Sequence, residues 1–206
     1  MKLSSLVGNW DVSLQYLYQF GDAPIFYRYE GEDFNTVVAP AYERTHLVGS
    51  TLSNTFRDFT LRAELAYKSD TFQISDEFSN DGIEQSGEFS SVLGLDWQAS
   101  SDVLLSAQWF YSYLFDYQRS IVRDETEQLA SLLLQSNFDN ASWQLQALSL
   151  YSLNNEDLLF QLKLKYWLES NLEIWIGTDV FHGTQRGIFG QFDQQDRVLA
   201  GFEYGF

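Results

Sequence analysis

The two histidines of this 206-residue chain are the first candidates for chemistry. His46 is followed by Ser50 and Asn54, a set that superficially resembles a serine nucleophile with its base and orienting amide. The rest of that alternating face is apolar, so these side chains would mostly face lipid or a neighbouring subunit. His182 follows Asp179 by three residues, and such a pair could act as a base, or His182 is simply a residue at the end of a strand. We expect no enzyme.

A weaker candidate is a metal site in the acidic segment 69–88, which contains no Lys or Arg. Glu77, Ser79, Asp81 and Glu88 approximate the ligand spacing of a calcium loop. The first ligand of such a loop is normally Asp, and helices flank it, and neither condition is met here. The alternative is a solvated loop that uses divalent ions to lie beside an anionic surface. We therefore predict no metal and no cofactor.

Composition excludes several classes of protein. Lys and Arg number 12 against 29 Asp and Glu, a net charge of −17, whereas a nucleic-acid binder needs a basic face. The chain has no cysteine, which excludes a disulfide scaffold and a thiolate zinc site, and two histidines cannot form a three-His zinc site. No apolar run approaches the roughly 20 residues of a transmembrane helix, so a membrane protein is possible only as a β-barrel.

Alternation with a period of two residues is the strongest pattern. From Trp10 to Phe20 every second residue is apolar or aromatic, and the residues between them are mostly polar. In a strand these two sets lie on opposite faces. The pattern predicts about ten strands of about 10–14 residues, long enough to cross a membrane when tilted. The other predicted strands are 46–56, 59–68, 89–98, 103–116, 129–138, 142–153, 158–167, 172–180 and 197–206.

The connections alternate in length, and aromatic residues concentrate at both ends of the strands. Tight turns at 57–58, 99–102, 139–141 and 169–171 alternate with longer segments at 21–45, 69–88, 117–128 and 182–196, and with a short one at 154–156. This connectivity predicts an all-β, antiparallel up-and-down transmembrane β-barrel with short periplasmic turns and long external loops, and residues 1–206 as one domain. The alternative is a soluble sandwich or lipocalin-like barrel, whose apolar face points inward.

The end of the chain, from Arg197 to Phe206, resembles the terminal strand of Gram-negative outer-membrane barrels. The resemblance covers Val198, Ala200, Phe202, Tyr204 and Phe206, and it implies recognition by the barrel assembly machinery. The stretch from Trp175 onward is also similar to the ends of larger, uncharacterised proteobacterial porin-like proteins. Two expectations are therefore open: a small barrel recorded without its leader, or the C-terminal part of a longer barrel.

Charged residues of both signs alternate with the apolar face and are predicted to line the lumen. If the barrel is narrow, opposite charges pair and plug it; if it is wide, they line a channel. We expect a porin-like channel or transport barrel of the bacterial outer membrane for small or amphipathic solutes, or else a non-conducting structural or surface-interaction barrel. The expected partners are outer-membrane lipid and lipopolysaccharide, with homo-oligomerisation left open. The predicted lumen-lining residues are Asp11, Arg62, Glu64, Lys68, Asp96, Asp116, Lys163, Lys165, Glu173, Asp179, Arg197 and Glu203.

Overall fold

β-Strands account for most of the computed structural model, which describes residues 1–30, 35–77 and 79–205, without the side chains of residues 30, 79 and 80. Two short 3-10 helices lie between strands, at Ser79–Gly82 and Gly190–Phe192. Within the described residues, no helix is long and apolar enough to cross a bilayer. The described strands are β1 Lys2–Val7, β2 Trp10–Phe20, β3 Ile25–Glu30, β4 Thr36–Ala41, β5 Arg44–Phe56, β6 Phe59–Ile74, β7 Ile83–Gln98, β8 Val103–Leu114, β9 Thr126–Phe138, β10 Trp143–Ser152, β11 Asp157–Glu169, β12 Leu172–His182 and β13 Arg197–Tyr204.

Eleven of these strands form one sheet, and β3 and β4 form a separate two-stranded sheet. The order in the larger sheet is β1, β2, β5 and then every strand in sequence to β13. Each strand thus pairs with its neighbour in the chain once the β3–β4 hairpin is skipped, and the pairings are antiparallel. The predicted all-β, antiparallel up-and-down fold is confirmed. Tight turns alternate with longer segments, as the sequence indicates.

Strands also form in two places where the sequence predicted none. β1 pairs with β2 and places Leu3 opposite Leu14. The hairpin of β3 and β4 lies inside segment 21–45, which was expected to be a long loop, and pairs Tyr27 with Ala39. All three strands have six residues. Alternation over so short a stretch does not stand out from chance, and backbone pairing with a neighbour stabilises these strands instead.

The chain divides into two compact units. The first consists of Met1–Ser53, Ala63–Ser91 and Tyr111–Glu127, and the second of Asn54–Arg62, Val92–Phe110 and Gln128–Phe206. In the first unit β2 pairs with β1 on one side and β5 on the other. In the second, β10 to β13 pair in sequence. The single domain over residues 1–206 stays a prediction.

In both units the usual pattern of burial is inverted. In β2, Leu14 is 53% exposed and Tyr18 52%, whereas Ser13, next to Leu14 on the opposite face, is 4% exposed. In the second unit Ile176 is 54% exposed and Asp179 5%. Among the described residues, the buried apolar side chains are Ile83, Leu114 and Ile121. The buried polar ones are Ser13, Thr45, Asn54, Ser75, Glu84, Ser86, Ser106, Ser120, Ser152, Asp157 and Asp179.

The inversion defines two faces on each strand. We call the face with the exposed apolar side chains, such as Leu14 and Ile176, the apolar face, and the opposite one the polar face. A soluble sandwich or lipocalin-like barrel would bury its apolar face. The exposed position of Leu14 and Ile176 contradicts that alternative.

Candidate functional site on the polar face

Three adjacent strands of the second unit bring polar side chains together on the polar face. Gln161 in β11 pairs with Asp179 in β12, which in turn pairs with Arg197 in β13. Arg197 Nε donates to Asp179 Oδ2 at 2.6 Å, and Gln161 Nε2 donates to Asp179 Oδ1 at 2.8 Å. The buried carboxylate therefore has both oxygens satisfied, one of them by the charged guanidinium. The network fixes the position of the guanidinium at one end of the polar face.

An aromatic ring and two lysines extend this network along the same strands. Lys163 Nζ lies 4.1 Å from the centroid of the Trp175 ring, a cation–π contact. Lys165 Nζ lies 3.1 Å from the Glu173 carboxylate. The ring passes over Gly201 in β13, where an added Cβ would lie 2.6 Å from its Cζ2 atom. Only glycine at 201 leaves space for the indole in this position.

The Gln161–Asp179–Arg197 network, Lys163 and Trp175 line an open cleft of about 380 Å³ on the polar face. Its chemistry combines an aromatic surface, amide groups and charges of both signs, which suits a small polar or amphipathic solute better than a purely apolar one. The residues that carry this character are Gln146, Gln161, Lys163, Trp175, Asp179 and Arg197.

A further ion pair joins two predicted residues in β6 and β7 of the same unit. Arg62 Nη2 lies 2.9 Å from Asp96 Oδ1, with the arginine side chain 45% exposed and the aspartate 21%. With Lys165–Glu173 and Asp179–Arg197, three ion pairs link six of the twelve predicted lumen-lining residues. Their placement agrees with the expected pairing of opposite charges. Whether they line a lumen stays a prediction.

The other predicted residues are more scattered. Asp11, Glu64, Lys68 and Glu203 lie on strands, and none makes an ion pair with another described residue. Asp116 differs from the prediction, because it lies exposed in the turn after β8 with φ of 51°. Asp tolerates this left-handed conformation better than most residues. The alternation of β8 therefore ends before Asp116, at Leu114.

In the first unit, Arg123 holds the segment between β8 and β9. Its Nε lies 2.6 Å from Glu127 Oε2, its Nη2 lies 2.9 Å from Glu88 Oε1, and it also donates to the Ser112 hydroxyl. Burial lowers the pKa of Arg123, but hydrogen bonds and charges from the two carboxylates outweigh it and raise the pKa above its ordinary value. Arg123 therefore remains charged and fixes the segment to β7 and β9.

The Arg123–Glu88 ion pair involves a residue of the candidate calcium loop. Glu88, the last of its four residues, is engaged by Arg123. Asp81 is exposed, and Glu77 donates its backbone N–H to Ser75 Oγ at 3.1 Å. The side chain of Ser79 lies outside the described residues. Among the described side chains, no group of three His, Asp or Glu residues could hold a metal ion.

Arg28 of the β3–β4 hairpin contacts the connection between β6 and β7 in the first unit. The guanidinium donates to the carbonyl oxygens of Ser75 and Gly82, the latter at 3.4 Å. Tyr27 donates its hydroxyl proton to Glu43 at 3.4 Å, and burial together with this carboxylate raises the pKa of the phenol above its ordinary value of 10.0. The contacts of Arg28 hold the β3–β4 hairpin, which lies within segment 21–45, against Ser75 and Gly82.

The segment after β12 is held by Asp157, a residue that the sequence analysis missed. Its Oδ2 accepts hydrogen bonds from the backbone N–H groups of Phe189 at 2.6 Å and Gly190 at 3.0 Å. An added Cβ at Gly187 would lie 2.1 Å from the same oxygen. The signal in the sequence was the run of glycines at 183, 187 and 190, which allows the backbone to approach a side chain closely.

The two histidines have partners other than those of the candidate sets considered in the sequence. His182 lies 3.2 Å from Asp193, while Asp179 binds Arg197, because residues three apart in a strand point to opposite faces. His46 is exposed and lies 2.7 Å from the Tyr16 hydroxyl. Asn54 is buried at 6% exposure, whereas His46 is on the surface.

The residues of the assembly resemblance form the apolar face of β13. Val198 is 75% exposed, Phe202 74% and Tyr204 57%. Ala200 shares this alternation and is also exposed. Phe206 lies outside the described residues. Recognition by the assembly machinery stays a prediction.

No protein-family model matches the sequence, and a search of curated proteins finds no relative. Solved structures show a distant likeness in fold. A KdgM porin is 9% identical, with a TM-score of 0.43 over 100% of this chain and 95% of the porin, and the same values describe the KdgM porin in complex with disordered oligogalacturonate. The Pseudomonas putida toluene transporter TodX is 10% identical, with a TM-score of 0.43 over 100% of this chain and 72% of TodX. At this similarity the matches carry no information on solute or mechanism.

Proposed function

We propose that this chain is a barrel of the bacterial outer membrane that passes small polar or amphipathic solutes along its polar face. The observation that carries the proposal is the inverted burial. Exposed residues such as Ile176, at 54%, and Leu132, at 55%, would be unfavourable in water, while lipid solvates them. Strands with one apolar and one polar side are the arrangement in which a β-structure can face lipid outside and polar groups inside.

Aromatic contacts at the strand ends support a membrane location. Near the short turns, Phe59 and Trp97 stack at 5.8 Å, and Trp143 lies 4.4 Å from Tyr166. At the other ends of the strands, next to a longer segment, Phe115 makes edge contacts with aromatic neighbours, at 5.1 Å in the case of Tyr113. Aromatic side chains prefer the depth of the lipid headgroups, so two such levels fit the two surfaces of a bilayer.

The cleft around Lys163 and Trp175 favours transport over a purely structural role. Its cations and amides offer a solute alternative partners to water, and the indole offers a flat surface for a ring or an alkyl chain. The proposal assigns no catalytic step, since His46 and His182 engage different partners on exposed surfaces.

A second candidate function is a closed barrel that anchors or interacts but does not conduct. The observation that favours it is charge neutralisation on the polar face, by Arg62 with Asp96, Lys165 with Glu173 and Arg197 with Asp179. The segment held by Asp157 also favours a closed barrel. Its Phe192 packs on Phe181 of β12, with 5.5 Å between the ring centroids, and this contact holds the segment against the sheet.

Single-channel recording separates the two functions. The refolded chain, verified by heat-modifiable migration, is inserted into a planar bilayer, and the channel hypothesis expects stable conductance. Lys163→Glu should shift the permeability ratio toward cations, while Arg57→Glu, in the turn between β5 and β6, should leave the ratio close to that of the wild type. A chain that inserts but does not conduct would establish the closed barrel. A chain that neither inserts nor shifts its migration on heating would refute both functions.

A further inference from the structure

One basic residue lies on the apolar face of the larger sheet. Of the Lys and Arg residues in its described strands, Arg44 alone alternates onto the apolar face, opposite Phe20, and the others alternate onto the polar face. The complete set is Lys2, Arg44, Arg62, Lys68, Lys163, Lys165 and Arg197. In a chain of net charge −17, a lone cation on the surface proposed to face lipid calls for a specific partner.

Arg44 lies over two aromatic rings and is without a counter-ion among the described side chains. Its guanidinium carbon is 4.3 Å from the centroid of Phe20 and 5.1 Å from that of Tyr18. It makes no ion pair with any carboxylate that the structure describes. The rings support one side of the planar group, so its N–H donors are available to an acceptor outside the protein.

His46 adds a second donor beside Arg44. Its ring stacks on Tyr18 at 4.5 Å, and its Nδ1 lies 2.7 Å from the Tyr16 hydroxyl. When Nδ1 of the neutral imidazole accepts a hydrogen bond from the Tyr16 hydroxyl, the ring N–H is at Nε2, which no described group engages. We call Tyr16, Tyr18, Phe20, Arg44 and His46 the Arg44–His46 patch.

The position of the patch along the strands indicates its depth in a membrane. Phe20 is the last residue of β2, and Arg44 is the first residue of β5 and its direct partner. The unfavourable free energy of a lipid-facing Arg is largest at the midplane and falls close to zero at the interface. Arg44 at a strand end next to the hairpin segment therefore fits the depth of the headgroups.

We propose that the Arg44–His46 patch binds the phosphate group of a lipid in the outer leaflet, such as the phosphorylated glucosamine of lipopolysaccharide. This inference rests on the proposed membrane location. A phosphate accepts two parallel hydrogen bonds from a guanidinium, and His46 Nε2 can supply a third. The exposed rings of Tyr16 and Phe20 would contact the sugar and the first carbons of the acyl chains.

Native mass spectrometry of the refolded chain in zwitterionic detergent tests the proposal. The probes are diphosphoryl lipid A, monophosphoryl lipid A, phosphatidylcholine and inorganic phosphate. We expect one bound diphosphoryl lipid A on the wild type, weaker binding of the monophosphoryl form, and no displacement by millimolar phosphate. Arg44→Gln should weaken binding about tenfold, in line with the loss of a charge-assisted pair, and His46→Gln should weaken it less. Arg57→Gln, which also removes an exposed arginine, should bind like the wild type.

Several outcomes overturn the site. Equal losses in Arg44→Gln and Arg57→Gln would mean unspecific attraction of charge. Inorganic phosphate that binds as well as the lipid would remove the role of the membrane. A dimer that Arg44→Gln dissociates, with unchanged lipid binding, would assign the patch to a second copy of the chain. All variants are also tested for insertion into vesicles. Failure to insert would refute the proposed function, whereas loss of lipid binding in a protein that inserts would refute only the site.

Discussion

Asp179 and Arg197 form a hydrogen-bonded ion pair across β12 and β13, with 2.6 Å between Oδ2 and Nε, and only the carboxylate of the pair is buried. The two partners therefore depend on each other unequally. Without the arginine, a buried carboxylate keeps a single side-chain donor, Gln161. The arginine side chain, by contrast, is 58% exposed even with its partner in place, so it is accessible to other hydrogen-bond acceptors.

The first prediction follows from this asymmetry. Arg197→Gln should lower the free energy of unfolding by about 1–2 kcal/mol, a value discounted because the guanidinium is half-exposed. Asp179→Asn should cost less, since a neutral amide in the same place does not need a cation. Urea titration of the chain in lipid vesicles measures both. A larger loss in Asp179→Asn than in Arg197→Gln would contradict this account of the pair.

The two faces of β11 give the second prediction. Leu162→Arg places a charge on the apolar face near the middle of the strand and should destabilise the inserted chain by about 2–4 kcal/mol. Gln161→Arg, one residue earlier on the polar face, is the matched control and should cost clearly less. Unfolding from vesicles compares the two variants, and equal costs would rule out the assignment of faces.

The third prediction concerns the segment held by Asp157. Asp157→Asn weakens the acceptor for the backbone N–H groups of Phe189 and Gly190 and should increase the opening of the segment about tenfold. Trypsin cleavage after the exposed Arg186 reports the open population. Glu156→Gln removes an exposed neighbouring charge and should cleave at the wild-type rate. A cleavage rate unchanged in Asp157→Asn would show that other contacts hold the segment.

Tyr27 gives a prediction on pH. Its pKa in the folded chain is raised, so the folded state retains the phenol proton longer than the unfolded chain does. The stabilising contribution is present below pH 10.0, the unfolded value, and is lost as the pH rises through the folded pKa. The difference in phenolate absorbance between the wild type and Tyr27→Phe is followed as the pH is raised, and its midpoint should lie above pH 10.0. A midpoint below that value would reverse the sign of this effect.

The fifth prediction rests on the resemblance of the C-terminal segment. Deletion of Phe206 should reduce assembly in cells more than it reduces refolding in detergent, because only the former would require recognition by an assembly machinery. Leu168→Ala, which changes a different exposed side chain, serves as the control. Equal loss in cells and in detergent would make the residue a structural one.

The fold was predictable because alternation is a property of single strands. Leu162 and Lys163 carry opposite characters, and no tertiary contact is needed to infer that they face opposite ways. The ion pairs were harder to predict, since the pairing of Arg62 with Asp96 depends on strand register as well as on alternation. Asp157 was not predictable as an anchor, because its partners are backbone groups more than thirty residues away in sequence.

The Arg44–His46 patch was missed for a related reason. His46 was assigned to a lipid-facing register, but its significance depends on the stacking with Tyr18 and the bond to Tyr16, which come from the pairing of β2 with β5. The hairpin between these strands separates the partners by about thirty residues in the chain. A sequence read along one strand at a time does not show such neighbours.

Trp175 lies over Gly201, so the width of any channel along the polar face depends on the side chain at position 201 of β13. Because Gly201 has no side chain, the indole of Trp175 occupies the space that a side chain would take. A methyl group at position 201 would force the indole of Trp175 to rotate. The free space on the polar face would then grow where the ring had been and shrink where the ring moved. Size selection in a transport barrel could thus evolve by changes at a residue that the solute never touches.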